Sequence, residues 1–189
     1  MAYKQSGHLL NTGLLINMAI KGRVLERFLQ NKILRPVRLR AILNIINKLP
    51  SGSILDIGCM DDYLLKRLPE RFDYQGIDGN PLCKNEKIKK IKVEQLEKNK
   101  KYDIVIATEV LEHLDNPVEA INKIKNFAKK YILISVPNEP FFSLFRFFLP
   151  AREHLWTIFP SALKKHLGTP LMEKTACFKR SYIALWKKQ

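Results

Sequence analysis

Ser53-Ile-Leu-Asp-Ile-Gly-Cys-Met-Asp-Asp62 is a short apolar run that reaches an acid, Asp56, turns at Gly58 and leads into a helical pattern over residues 63–68. A second apolar run, Tyr74-Gln-Gly-Ile77, follows and ends in Asp78, about 20 residues beyond the turn. The pattern is strand, turn, helix, strand, acid, which is the opening unit of a dinucleotide-type fold. Glycine at the turn lets the main chain come close to a ligand. An acid at the end of the second strand can accept hydrogen bonds from two ribose hydroxyls. The unit therefore implies an adenosine-containing ligand. Met60 and Asp62 stand where such turns usually carry further glycines.

Outside this unit, strands and helices continue to alternate. The pattern predicts a short third strand at 88–93, a continuous β-branched fourth strand at 103–108, a helix at 118–128 and a fifth strand at 131–136. A short helix at 161–167 and two final strands at 172–178 and 181–186 close the chain. The spacing of those last two predicts an antiparallel pair at the sheet edge. The predicted fold class is α/β: a doubly wound, mostly parallel, seven-stranded sheet of the Rossmann-like kind. Residues 1–49 read as an N-terminal helical cover. Pro36 starts a helix there whose buried side is predicted to carry Val37, Leu39, Ile42, Leu43, Ile45 and Ile46. Pro50-Ser-Gly52 breaks the chain, and residues 50–189 form the sheet domain. Within it, the proline- and aromatic-rich segment 137–160 reads as a cap.

The 189 residues suffice for one domain with a substantial core. The formal net charge of +15 favours anionic partners: nucleic acid, anionic lipid headgroups or phosphorylated metabolites. A lysine-rich solvated surface explains the same charge equally well. No arginine-rich tract interleaved with aromatics appears, so nucleic acid is not the expected partner. The three cysteines, Cys59, Cys83 and Cys177, are scattered and lack CxxC spacing. A disulfide framework and a zinc site are both disfavoured, no metal is expected, and a reducing, cytoplasmic setting fits. The first residues lack a secretory signal pattern. Basic residues Lys21, Arg23, Arg27, Arg35, Arg38 and Arg40 interleave with an apolar helical stripe. That arrangement leaves peripheral contact with an anionic bilayer open.

Three segments line up with a known family. Ile-Leu-Asp-Ile-Gly-Cys (54–59), Gly-Ile-Asp (76–78) and Tyr-Asp-Ile-Val-Ile-Ala-Thr-Glu-Val-Leu-Glu-His-Leu (102–114) resemble the class I S-adenosylmethionine-dependent methyltransferases. The nearest likeness is to their small-molecule, ubiquinone-biosynthesis-like branch. Ser135-Val-Pro-Asn138 and Glu153-His-Leu-Trp156 add to it, and the likeness runs from about Gly52 to the end of the chain. The resemblance implies S-adenosylmethionine as cofactor. It assigns Asp56, Gly58, Cys59 and Met60 to the first cofactor loop, beside the methionine part of the ligand. It assigns Asp78 to the ribose hydroxyls and Gly79 to the adenine. Thr108 and Glu109 would line the cofactor beside the transferred methyl. The family's acid after the third strand has only Glu94 near its place.

Other residues carry two readings each. Asp56 is expected to orient the loop through backbone amides. Asp62 either faces the ligand or caps the following helix. His113 lines the active site or packs locally. His154 serves as a general base or as a cap hydrogen bond, since an imidazole titrates near neutrality. Trp156 and the phenylalanines at 141, 142, 145, 147 and 148 form an apolar acceptor wall or simply core. Methyl transfer from a sulfonium mainly needs alignment of a nucleophile, so no covalent-catalysis motif is expected. The reading is a methyltransferase acting on a small-molecule or lipid-like acceptor. The alternative is a catalytically weak or silent binding subunit with a degenerate cofactor loop. An RNA methyltransferase has only the charge in its favour.

Overall fold

The structure is a computed structural model that describes residues 30–96, 100–138 and 155–188. The start of the N-terminal cover, most of the 137–160 cap, His154 and the phenylalanine cluster lie outside the described residues.

A single turn of π-helix, Gln30–Leu34, leads into α1 (Arg35–Ile46). The strands are β1 (Gly52–Ile57), β2 (Phe72–Asp78), β3 (Ile88–Lys90), β4 (Tyr102–Thr108), β5 (Ala128–Pro137), β6 (Met172–Ala176) and β7 (Ser181–Lys187). Helix α2 (Pro117–Phe127) joins β4 to β5, and α3 (Pro160–Leu167) precedes β6. The seven strands lie in the order β3-β2-β1-β4-β5-β7-β6. The first five are parallel, and β7 runs antiparallel to both β5 and β6. The final hairpin is therefore the antiparallel edge pair expected from its spacing.

Chain direction across the sheet reverses between β1 and β4. In open parallel sheets that switch point opens a crevice at the carboxyl ends of the strands. Ile57, Asp78 and Thr108 end their strands at this edge.

Period-2 alternation divides each central strand between two apolar layers. Ile104 and Ile106 of β4, with Ile183 and Leu185 of β7, pack with Leu39, Ile42, Leu43 and Ile46 of α1. Val105, Ala107, Tyr182, Ala184 and Trp186 point to the other face, against Ile121, Ile124 and Phe127 of α2 and Leu163 of α3. Helix α2 begins as its sequence dictates. Asn116 Oδ1 accepts the Glu119 N–H at 3.1 Å, and Pro117 fills the first helical position, where no N–H is needed. Among the described residues, no helix is long and apolar enough to cross a membrane.

Three local expectations are corrected. No α-helix follows β1, only a single 3₁₀ turn at Leu65–Arg67. Asp61 spends its carboxylate on the Tyr63 N–H at 2.9 Å, and Pro69 forces Leu68 into an extended conformation, so too few residues remain for a helix. Strand β3 ends at Lys90, and Val93–Gln95 forms a 3₁₀ turn instead. On α1, Val37 is 47 % exposed while Arg38 is 9 % exposed. The buried stripe thus runs through Arg38 and not Val37, because a carboxylate on β4's exit loop partners the guanidinium.

Candidate functional site

The loop after β1 is held under tension by its own main chain. Gly58 adopts φ +69° and donates its N–H to Ile77 O at 2.8 Å, stitching β1's exit to the end of β2. A Cβ on Gly58 would fall 2.2 Å from Val110 Cγ2, so glycine is required there by both torsion and space. Met60 also adopts a positive φ, +64°. The Asp61 N–H bonds to Cys59 O at 2.7 Å across it, which makes Met60 the centre of a γ-turn of the rare positive-φ kind. The loop therefore keeps a glycine-type backbone although methionine occupies the position. The strain is what a non-glycine residue bears in the left-handed region, about 1–2 kcal/mol.

Asp78 lies at the centre of this arrangement. Its Oδ2 accepts the Met60 N–H at 2.9 Å, and its Oδ1 accepts the Asn80 N–H at 2.7 Å. A carboxylate offers about four acceptor positions, so two hydroxyls can still be received. Gly79 follows on the exposed side, where an added Cβ would meet Lys92 Cγ at 3.5 Å. Glu94 is exposed on the neighbouring 3₁₀ turn, and its carbonyl accepts from Lys123 Nζ.

Asp56 differs from its expected role. It is 1 % exposed, and Oδ2 accepts the Tyr74 hydroxyl at 2.8 Å, whereas Oδ1 has no hydrogen-bond partner. The loop amides go to Asp78 and to Ile77 O instead. Burial pushes the Asp56 carboxyl up to about 7, against the lowering by Tyr74 and Arg35. Cys59 is buried beneath the loop, 2.8 Å from where a Cβ on Gly76 would lie, and burial raises its thiol far above the ordinary range. It is chemically quiet. Asp62 pairs with Lys66 at 3.0 Å and does not cap the turn that follows. Asp61 supplies the turn-capping bond.

The opposite wall begins at Thr108, the half-buried end of β4. Glu109 follows with φ +53°, and its N–H bonds to Ser135 O at 2.9 Å. Its carboxylate receives the Ser135 hydroxyl at 3.4 Å and lies 3.6 Å from Arg38 Nη1; Ser181 hydrogen-bonds it as well. Burial raises this carboxyl, and Arg38 opposes the rise. His113 sits on the next turn (Leu111–His113), with Nε2 4.0 Å from Glu112 Oε1. The Glu112 carbonyl accepts the N–H groups of Leu155 at 2.8 Å and Trp156 at 3.2 Å, which ties the described end of the 137–160 segment to this turn. Trp156 is 48 % exposed at that rim.

Sequence reasoning missed the two arginines of α1 as site residues. Arg35 grips Asp61 with two bonds, Nη1 to Oδ2 at 3.0 Å and Nη2 to Oδ1 at 2.7 Å, and lies over the Tyr63 ring. Arg38 reaches Glu109. One helix thus ties both walls of the crevice. The only signal in the sequence was two arginines one turn apart beside Pro36. Among the described residues, no three His, Cys, Asp or Glu side chains gather to hold a metal ion.

Buried Asp56 implies a sign for pH. Its folded-state value lies above the unfolded one near 3.8. Its contribution to stability is complete below that unfolded value and is lost as pH rises through about 7. Asp56→Asn should therefore gain stability relative to the natural chain between pH 4 and 7 and then level off, as read by urea melts across pH. A pH-independent difference would contradict the buried neutral acid. Met60→Gly, by the torsion argument, should stabilise the chain by about 1 kcal/mol in the same melts.

A family profile described as a methyltransferase domain matches residues 25–170. Among solved structures, the magnesium protoporphyrin IX methyltransferase of Synechocystis PCC 6803, with bound SAH, is 16 % identical with a TM-score of 0.63, over 80 % of this chain and 82 % of that one. The N-methyltransferase NodS of Bradyrhizobium japonicum WM9, in complex with SAH, is 13 % identical with a TM-score of 0.66, over 85 % and 90 %. The plantazolicin methyltransferase BpumL, in complex with monoazolic desmethylPZN analog and SAH, is 16 % identical with a TM-score of 0.62, over 92 % of each chain. At these identities the likeness is one of fold. No curated protein sequence matches.

Proposed function

Since this chain belongs to the methyltransferase-domain family, we propose that it transfers a methyl group from S-adenosylmethionine to a small-molecule or lipid-like acceptor. The observation that carries the reading is Asp78. Its carboxylate ends β2 beside the switch point, holds the loop through Met60 and Asn80, and keeps acceptor capacity for two ribose hydroxyls. The positive-φ turn at Gly58 supports the same ligand, since glycine-type turns let the main chain come close to a bound cofactor.

When bound, the cofactor supplies an activated methyl on a sulfonium. The chain's own residues have the tasks of binding and alignment. Asp78 holds the ribose and Gly79 leaves room for the adenine. Gly58, Cys59 and Met60 present main chain to the methionine part, with Asp56 buried beneath them. Thr108 and Glu109 form the wall beside the transferred methyl. His113, on the turn after β4, is the described imidazole nearest that wall in the chain. His154, immediately before Leu155, is the second group assigned to take the acceptor's proton.

The competing reading is a silent binding subunit, and the observation in its favour is the strained Met60. Calorimetry decides between them. The natural chain should bind S-adenosylmethionine and S-adenosylhomocysteine, and Asp78→Asn should weaken both by about 1–3 kcal/mol. Unchanged affinity removes Asp78 from the ribose site. No binding by the natural chain favours the silent subunit.

A lipid-like acceptor has its own support in the π-helical turn and α1. Ile33 is 45 % exposed and Val37 is 47 % exposed, with Lys32 and Arg40 also exposed alongside. An apolar strip flanked by cations suits an anionic bilayer, at about 1 kcal/mol per basic residue near the surface. The protein should co-sediment with anionic vesicles at low salt and release as salt rises. Absence of binding at low salt removes the membrane role.

A further inference from the structure

We infer that Arg38 recognises a carboxylate or phosphate group carried by the methyl acceptor. The inference rests on the methyltransferase reading above and names the acceptor's chemistry. Arg38 is 9 % exposed, packed on the inner face of α1 beside Leu39 and Ile42. A buried guanidinium persists when its charge and its donors are met. Here the charge is only loosely met: the nearest carboxylate oxygen, Glu109 Oε2, lies 3.6 Å from Nη1, beyond hydrogen-bonding distance. The Arg38 Nε–H has no hydrogen-bond partner. Glu109 is meanwhile occupied by the Ser135 and Ser181 hydroxyls.

The planar guanidinium fork matches the paired oxygens of a carboxylate or phosphate. Its place in the crevice assigns the ligand. Glu109, Ser135 and Ser181 mark the exits of β4 and β5 and the start of β7, on the far side of the switch point from Asp78. The ribose end of the crevice is therefore at β2, and Arg38 lies towards the strands beyond the methyl. Arg35, three residues earlier, is already committed to Asp61 through both Nη atoms. The chain's net charge of +15 raises the local concentration of such anions.

The probes are inorganic phosphate and acetate, titrated at constant ionic strength into the full chain with and without S-adenosylhomocysteine. Calorimetry and melting temperature give the readout. Arg38→Met alone would leave Glu109 buried beside a lost cation, so Arg38→Met is compared in a Glu109→Gln background, with Arg38→Lys as the charge-keeping control. Saturable anion binding that coexists with S-adenosylhomocysteine is expected. It should weaken about tenfold or more when Arg38→Met is added and be largely kept by Arg38→Lys. The added substitution should leave affinity for S-adenosylhomocysteine unchanged.

Equal anion responses with and without Arg38 would overturn the proposal. So would phosphate competing with S-adenosylhomocysteine, together with lost affinity for that ligand on adding Arg38→Met. Arg38 would then hold the cofactor's own carboxylate. Failure of every variant to bind S-adenosylhomocysteine would remove the methyltransferase reading and the acceptor assignment with it, whereas loss of the anion response alone removes only the assignment.

Discussion

The Asp78 carboxylate is the contact on which the site depends. It is the last residue of β2, yet it fixes the loop that leaves β1, because it accepts the Met60 amide while also bonding the Asn80 amide two residues ahead. The parallel pairing of β1 with β2 brings the two ends together, and Ile77 O, receiving Gly58 and Cys59, closes the junction. This network explains how the loop tolerates methionine at a position of positive φ. Two charge-assisted or main-chain bonds on either side of Met60 hold a turn that its own torsional preference opposes.

The second constraint comes from outside the sheet. Helix α1 shares the apolar layer of β1, β4 and β7, and that packing fixes its position. Its first turn then carries Arg35 to the loop after β1 and Arg38 to the loop after β4. The two walls of the crevice are therefore braced by one helix as well as by the strands beneath them. Displacing α1 would cost both the buried apolar surface and the partners of two acids, so the cover and the site are one mechanical unit.

The strands β1, β4 and β5 were legible because doubly covered parallel strands read as continuous apolar runs, whereas β2 was legible from its distance to the Gly58 turn. Asp78 was legible because its spacing from Gly58 is set by one strand–turn–strand unit. The helix expected after β1 was misread because propensity over residues 63–68 lost to the Asp61 turn on one side and Pro69 on the other. Val37 and Arg38 were exchanged in the reading of α1 because hydrophobicity alone favours burying valine. The carboxylate that reverses the choice, Glu109, arrives only through the β1–β4 pairing. Asp56 was expected to hold amides, but its partner Tyr74 comes from the adjacent strand, a contact that no local pattern announces. Met60 was legible as a position where such turns usually carry glycine, but not the Asp78 carboxylate and the Cys59 carbonyl that hold methionine in that conformation.

The most direct test of this account is a crystal structure of the chain with S-adenosylhomocysteine. The account predicts both ribose hydroxyls on Asp78, with the Met60 and Asn80 amides still bonded to it, and the homocysteine part lying between the Gly58 loop and Glu109. A ligand bound elsewhere, or an Asp78 carboxylate left with only its two amides while the ribose is held by other groups, would contradict it.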